Sequence, residues 1–260
     1  MRRPFITALT LALSAGLMAA GSGAAATGDL KLLKDGQLSV ASDVPYAPFE
    51  YFARPGSRRV IGFDVDLVKA AAATFGIKTV NFVDQTFDSI FISIPQGRFD
   101  MAASSISITA KRKRQALFSD SYFLANQSIM VKKGSSIRRL KDLEGKTIGA
   151  QRGTTGADLA AKVKGATVKR YEEIDDAFGA LVNGRVEAVV NDFAISAFAT
   201  RSRKNLEVVA QIDTKEGYGL MFAKDRTALR DAFNEGLTTI RASGTYARIY
   251  KKWFNQEPPK

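Results

Sequence analysis

Two ten-residue stretches, QGRFDMAASS at residues 96–105 and NGRVEAVVND at residues 183–192, decide the fold. Each has a glycine followed by an acidic residue, then a short apolar run, then two polar residues. A turn followed by such a run is typical of a buried strand, and ligands of α/β proteins bind at the carboxyl ends of parallel strands. The similarity of the two stretches predicts two similar halves whose strand ends face a shared cleft, although one α/β unit used twice would give the same pattern.

The rest of the chain alternates apolar runs rich in β-branched residues with segments of helical periodicity. This alternation predicts an α/β fold with mainly parallel sheets. We expect strands at 38–42, 79–83, 99–103, 128–132, 147–150, 186–190 and 220–223. We expect helices at 63–75, 87–95, 172–182 and 228–254, the last broken near Gly244, and further helices opening at Thr109 and after the loop at 153–156.

The composition excludes several classes of protein. The chain has 260 residues, 45% of them hydrophobic and 25% charged, which excludes a disordered chain. It contains no cysteine and no histidine. There is therefore no Ser-His-Asp or Cys-His nucleophile, no thiolate or imidazole zinc site, and no haem or iron–sulfur cluster held by these residues. The sequence favours a binding protein over an enzyme and predicts no cofactor and no metal.

Residues 1–26 are predicted to be a cleaved signal peptide. Arg2 and Arg3 precede a mainly apolar run at 5–20, and the alanines at 24–26 fit an A-x-A cleavage site. The run is shorter than the ~20 residues of a membrane-spanning helix, although an uncleaved anchor is the alternative. Since no cysteine is present to carry a lipid, we predict a free periplasmic protein.

The formal net charge of +12 could indicate a nucleic-acid partner. The lysines and arginines are scattered, however, and no nucleic-acid-binding motif occurs. We therefore predict no nucleic-acid partner and interpret the charge as a solvated basic surface, which suits an anionic membrane face.

Three groups of polar residues could hold a small zwitterion. In the first, the serines and threonine of 104–109 lead into the basic run 111–114, where an arginine could hold a carboxylate through two parallel hydrogen bonds; a solvated basic helix is the alternative. In the second, the GTTG loop at 153–156 could present N–H groups to an anion or simply cap a helix. The third is Asp192, which could pair with an ammonium group or cap a helix, and Asp43 allows the same two interpretations.

Motifs along the whole chain together resemble the bacterial periplasmic amino-acid-binding proteins of ABC importers, solute-binding protein family 3. Each motif is weak alone, but their order over essentially all of the chain after residue 26 is specific. They are DVPYAPFE at 43–50, GFDVDL at 62–67, FD at 87–88 and 99–100, SIT at 107–109 with Arg112, FSD at 118–120, GTTG at 153–156, GTY at 244–246 and IYKKWF at 249–254.

The resemblance implies the two-lobed α/β fold of periplasmic binding proteins (type II), with mainly parallel sheets and a ligand cleft between the lobes. Lobe 1 would comprise residues 27–124 and 219–260, and lobe 2 residues 125–218, joined by two crossing strands. The lobes would enclose the ligand by hinge closure.

The resemblance also implies which residues bind the backbone groups of an amino acid. Arg112 would hold the α-carboxylate, helped by Ser107 and by the backbone of Thr155. Asp192 would hold the α-ammonium group, helped by Ser105.

The side chain of the ligand would meet a second group of residues. Tyr46 and Phe87, which by residue type alone would more simply be core residues, would sandwich its carbon chain. Asp43 would face its end, with Gln151 and Ser104 nearby. An acid there suits a cationic amino acid such as arginine, lysine, histidine or ornithine, and it can also accept from the amide of glutamine.

The partners implied are an L-amino acid and the permease and ATPase of an ABC importer at the inner membrane, and we expect a monomer. The alternative is an exported cyclohexadienyl (prephenate/arogenate) dehydratase, which shares this fold. Such an enzyme needs a general acid in the cleft, and residues 193–199 after Asp192 offer no titratable group. A sensor domain of a receptor would need a second membrane segment or a signalling module, neither of which the sequence shows.

Overall fold

Residues 30–259 are described by a computed structural model, in which helices flank two five-stranded sheets and a small hairpin. The predicted signal peptide lies outside the described residues. The strands are β1 (Gln37–Ser42), β2 (Tyr51–Phe52), β3 (Val60–Ile61), β4 (Thr79–Asp84), β5 (Met101–Ala102), β6 (Leu117–Phe118), β7 (Phe123–Lys132), β8 (Thr147–Gln151), β9 (Thr167–Tyr171), β10 (Ala188–Asp192), β11 (Leu206–Tyr218) and β12 (Met221–Phe222). The helices are α1 (Phe63–Thr74), α2 (Phe87–Ser93), α3 (Ala110–Lys113), α4 (Thr155–Ala161), α5 (Ile174–Val182), α6 (Phe193–Ala199), α7 (Thr227–Ala242) and α8 (Thr245–Phe254), and a 3₁₀ turn covers Leu140–Leu143.

The first sheet has the strand order β4-β1-β5-β12-β6. Strand β1 is parallel to β4 and to β5, whereas β12 is antiparallel to its neighbours β5 and β6. Leu38 and Val40 are fully buried in β1 and alternate with the partly exposed Gln37 and Ser39. This period of two places one face of the strand against the helices.

The second sheet has the order β11-β7-β10-β8-β9. Strands β10, β8 and β9 are parallel neighbours, and β7 is antiparallel to β10 and β11. Strand β10 is buried along its whole length, as expected for a central strand covered on both faces.

The predicted two-lobed α/β fold class is confirmed, and the parallel pairing is found where helices connect the strands. The strands that leave and re-enter each sheet pair antiparallel, so both sheets are mixed. Five strands were missed by the sequence prediction. Three of them, β2, β3 and β6, have only two residues each, and the two longer ones are β9 and the 13-residue β11. Both are half-exposed, and their alternating pattern contains lysines, glutamates and arginines instead of a continuous apolar run.

The chain passes between the sheets twice, before β7 and after β11, and these two strands pair from Leu206 with Lys132 to Tyr218 with Phe123. An aromatic cluster lies at this crossing. Phe49 packs edge-on against Phe123 and Tyr218, at centroid distances of 4.9 and 5.4 Å. Edge-to-face rings add stability beyond their buried area, so the cluster fixes the crossing strands to the first sheet.

No helix among residues 30–259 combines the length and the apolar composition needed to span a lipid bilayer.

Candidate functional site

A narrow cavity lies between the two sheets, at the carboxyl ends of β1, β5, β8 and β10. All ten residues predicted from the sequence line it, together with Thr154, which was not predicted. The lining residues are Asp43, Tyr46, Phe87, Ser104, Ser105, Ser107, Arg112, Gln151, Thr154, Thr155 and Asp192. The two echoed stretches therefore end at the same cavity, since Ser104 and Ser105 come from the first and Asp192 from the second.

Arg112 supplies a buried positive charge to this cavity. Its side chain lies on α3 and is only 8% exposed as a residue. One guanidinium nitrogen donates to the Ser107 carbonyl at 2.7 Å and the other to the Gly153 carbonyl at 3.0 Å. The guanidinium also lies over the ring of Phe91, 4.6 Å from its centroid. These contacts hold the group in one orientation.

No carboxylate forms an ion pair with Arg112 anywhere in the described chain. Burial lowers the pKa of the guanidinium, and the more distant charges of Asp192 and Glu216 partly oppose this. Arginine nevertheless remains charged. A buried cation without an anion is costly, so the site is suited to an anionic group.

Asp192 supplies the opposite charge. It ends β10, is 8% exposed, and accepts hydrogen bonds from the hydroxyls of Tyr46 at 2.8 Å and Tyr218 at 2.6 Å and from the amide of Gln127. Although Asp192 precedes α6, its side chain makes no cap hydrogen bond. Burial, the largest cause, raises the pKa of Asp192 to about 6. Of the two interpretations that the sequence left open, the geometry favours a charge directed at the cavity over a helix cap.

Asp43 lies at a third position on the cavity wall and is 1% exposed. One carboxyl oxygen accepts from the Gln151 amide at 2.7 Å, while the backbone N–H donates to the Ser104 hydroxyl at 2.9 Å. Its other oxygen, Oδ1, and Oε1 of Gln151 are buried and accept no hydrogen bond from residues 30–259. Burial and, next, the charge of Glu173 raise the pKa of Asp43 to about 8.

The GTTG loop at 153–156 caps a helix, which is one of its two interpretations, and it also reaches the cavity. The Thr154 hydroxyl accepts from the Ala157 N–H at 3.1 Å and so caps α4. The Thr155 hydroxyl donates to Glu216 at 2.7 Å and lies 3.5 Å from the hydroxyl of Ser107 across the cavity. The loop thus joins the two walls of the cavity near Arg112.

The sequence prediction missed three polar residues around the cavity, namely Gln127, Glu216 and Tyr218. Gln127 lies on β7, in a segment predicted to begin only at residue 128, and the other two lie on the unpredicted β11. No motif pointed to them, since only the pairing of β7 with β11 and β10 brings them beside Asp192.

Among the described residues, no three acidic side chains are arranged to hold a metal ion. The site instead presents the guanidinium of Arg112 and the carboxyl groups of Asp192 and Asp43, together with three serines and two aromatic rings. Such a site defines a binding protein for a small molecule that carries both charges.

Comparison with known proteins places the chain in a family. The model of the bacterial extracellular solute-binding proteins, family 3, matches residues 38–256. The chain belongs to this family.

Individual relatives agree with this assignment. An arginine-binding periplasmic protein of Mannheimia haemolytica is 34% identical over 220 residues, covering 82% of this chain and 90% of that protein. The ABC transporter glutamine-binding protein GlnH of Bacillus subtilis is 33% identical over 208 residues, covering 78% and 76%. The crystal structure of the ancestral amino acid-binding protein AncCDT-1, a precursor of cyclohexadienyl dehydratase, superposes with a TM-score of 0.78 at 34% identity and covers 84% of this chain and 96% of that one.

Proposed function

We propose that this protein captures a polar L-amino acid, cationic or glutamine, and delivers it to the permease and ATPase of an ABC importer. A signal peptide at residues 1–26 would export it to the periplasm, where it acts as a monomer without a cofactor. The names of relatives that bind arginine or glutamine support the ligand class.

The observation that carries the proposal is the pair of opposite charges on the cavity wall. Arg112 and Asp192 are each buried, and neither forms an ion pair within residues 30–259. An α-amino acid carries a carboxylate and an ammonium group at a fixed separation, so one molecule neutralises both. Because both side chains are buried, each attraction is stronger than in bulk water.

Asp43 supports a ligand whose side chain donates hydrogen bonds. Asp43 and Gln151 each present an oxygen that lacks a donor in the described chain. A buried acceptor left unpaired costs roughly 1–3 kcal/mol, and the guanidinium, ammonium or amide of a ligand would remove that cost. The adjacent charge of Glu173 favours a cation over an amide.

The two sheets would belong to two lobes that close on the ligand, lobe 1 at 27–124 and 219–260 and lobe 2 at 125–218. Support comes from hydrogen bonds that cross the cavity. Gln151 of the second sheet donates to Asp43 of the first, and Tyr46 of the first donates to Asp192 of the second. A ligand between the lobes would replace such direct bonds.

A thermal-shift panel of the twenty amino acids tests the proposal. A ligand present at a thousandfold excess over Kd adds ~4 kcal/mol to the free energy of unfolding. We expect shifts with arginine, lysine, histidine, ornithine (added to the panel) or glutamine, and small shifts with apolar amino acids. A panel in which no amino acid raises the melting temperature contradicts the proposal.

One observation supports the dehydratase as a second candidate. Residues 193–199 after Asp192 contain no general acid, but Asp43 lies in the cavity and burial raises its pKa to about 8. A carboxyl group that is protonated near neutral pH can act as a general acid. Incubation with prephenate or arogenate decides between the candidates, because formation of the aromatic product would establish the enzyme and its absence leaves the binding protein.

A further inference from the structure

Two fully buried carboxyl groups, Glu50 and Asp64, lie behind the cavity wall. Both are 0% exposed. Glu50 follows the loop that carries Tyr46, and Asp64 lies in the first turn of α1. Neither forms an ion pair with a lysine or arginine of the described chain.

The backbone holds these two groups close together. The Asp64 N–H donates to the Phe49 carbonyl at 3.0 Å, next to Glu50. Gly62 allows this approach, because its φ is 147° and a Cβ atom there would lie 1.8 Å from the Phe49 oxygen. Any side chain at position 62 would therefore push α1 away from Glu50.

Both groups bind serines of the cavity wall. Glu50 accepts from the Ser104 hydroxyl at 3.3 Å, and Ser104 in turn accepts from the Asp43 N–H. Asp64 accepts from the Ser105 N–H at 3.0 Å and from the Tyr122 hydroxyl at 2.6 Å. Ser105 has a φ of +48°, a conformation that a non-glycine residue adopts at a cost, so this hydrogen bond helps to hold it.

Each carboxyl group has one oxygen left over. Glu50 Oε2 and Asp64 Oδ1 are buried and receive no hydrogen bond from any other donor among residues 30–259. Two adjacent buried carboxylates without a cation cannot both be ionised. A proton held in a hydrogen bond between the two carboxyl groups removes one of the two charges and gives an acceptor a donor.

The proton belongs on Glu50, because Asp64 already accepts two hydrogen bonds that stabilise its charge and Glu50 accepts one. The charged or titratable groups that face Glu50 are Asp64 on α1, Asp43 after β1, and Tyr46 and Tyr122. Burial, then the charges of Asp64 and Asp43, hold the pKa of Glu50 well above its usual range. Burial raises the pKa of Asp64 to about 6, opposed by the hydrogen bonds that it accepts.

We propose that Glu50 is a neutral acid at pH 7 that donates its proton to Asp64, and that this pair is a positioning element for Ser104 and Ser105 at the cavity. The protonation does not depend on the proposed function. The positioning of ligand-binding serines does rest on the proposed function.

The protonation is tested without any ligand. Infrared spectra at pH 7 should show a protonated-carboxyl C=O band in the wild type that is reduced in Glu50→Gln. Because folding keeps Glu50 protonated, the unfolding equilibrium constant of the wild type relative to Glu50→Gln should rise by about tenfold per pH unit above pH 5. Identical infrared spectra, or a ratio that does not change with pH, would overturn the protonation.

Asp100→Asn is the matched control for buried carboxyl groups. Asp100 is also 0% exposed, but it accepts from the N–H groups of Leu33 and Ser39 and from the Ser39 hydroxyl. An amide at position 100 would direct its own N–H groups at these donors, so this variant should lose stability at pH 7 while Glu50→Gln should not. A loss of stability of the same size in both variants would also overturn the protonation.

The positioning is tested with L-arginine and L-glutamine as probes in calorimetric titrations. The amide of Glu50→Gln still donates to Asp64 and accepts from Ser104, so its Kd should stay within about twofold of the wild type. Glu50→Leu makes neither bond and should weaken binding tenfold or more. Equal affinities of the Leu and Gln variants would overturn the positioning. If the Leu variant does not fold, a tenfold loss of affinity in the folded Gln variant would overturn it instead. A wild type that binds neither probe is titrated instead with the amino acid that gives the largest thermal shift. If no amino acid gives a shift, the proposed function and the positioning both fail, while the infrared and stability results still decide the protonation.

Discussion

Replacing Asp192 by asparagine keeps the shape of the side chain and removes its charge. Asp192 is buried on the cavity wall, and two tyrosine hydroxyls and one amide orient its carboxylate. Removing one partner of a buried charge pair costs about 2–5 kcal/mol of binding free energy. The Kd for an amino acid should therefore rise by roughly 30- to 5,000-fold.

The same variant should not destabilise the ligand-free protein at pH 7. Burial raises the pKa of Asp192 from 3.8 to about 6, so the folded state binds this proton more tightly than the unfolded state does. The stability contributed by the protonated group is present below pH 4 and is lost as the pH rises through about 6. The loss is about 3 kcal/mol, and asparagine, which has no charge to desolvate, avoids it. Unlike the backbone N–H groups that bind Asp100, the hydroxyls of Tyr46 and Tyr218 can also accept hydrogen bonds, so they can accept from the amide of an asparagine at position 192.

Titration calorimetry with L-arginine and L-glutamine measures the first effect, and urea unfolding at pH 7 measures the second. Asp213→Asn is the control, because Asp213 is an exposed acid of the same sheet, paired with Lys215; it should change Kd by less than twofold. An Asp192→Asn protein that is folded and binds both amino acids with the wild-type Kd would refute the role of this carboxylate.

Three further predictions concern the other charged groups of the cavity. Arg112→Lys keeps the charge but loses the forked hydrogen bonds to two carbonyls. Calorimetry should therefore show a loss of about 1.5–3 kcal/mol in the binding free energy of the amino acid, and an unchanged Kd would exclude recognition of the ligand carboxylate by the guanidinium. Asp43→Asn should weaken the affinity for arginine by roughly tenfold or more and the affinity for glutamine by less than threefold. Equal losses of affinity would show that Asp43 does not recognise the charge of the ligand. Because the pKa of Asp43 is raised to about 8, protons compete with a cationic ligand. Arginine affinity should therefore fall by up to about tenfold per unit as the pH drops from 8 to 6, whereas a glutamine affinity that falls in parallel would contradict this coupling.

The sequence predicted the fold well where one residue pattern determines one element. Apolar runs predict strands such as the fully buried β10 and the mostly buried β1. The glycine turns of the two similar stretches at 96–105 and 183–192 indicate where the strands that follow them lie. Strand β11 was missed because its exposed face carries charged residues, and only its long pairing with β7 makes it a strand. Tertiary pairing is not visible in local periodicity.

The cavity was predicted more completely than the sheets. The residues themselves left each polar group with a structural alternative, and the resemblance to a family, carried residue by residue, selected the ten residues that the structure brings together. The motifs do not indicate, however, which residues lie behind the wall of the cavity. The contact of Glu50 with Asp64, and the approach of Tyr218 to Asp192, arise from strand order and helix packing, so no spacing along the chain reveals them.

A crystal structure with L-arginine tests the central claim most directly. We predict that the amino acid lies between the two sheets, with its carboxylate within hydrogen-bond distance of the Arg112 guanidinium and its ammonium group within hydrogen-bond distance of the Asp192 carboxylate. Arginine bound with neither group in contact, or bound outside this cavity, would contradict the claim.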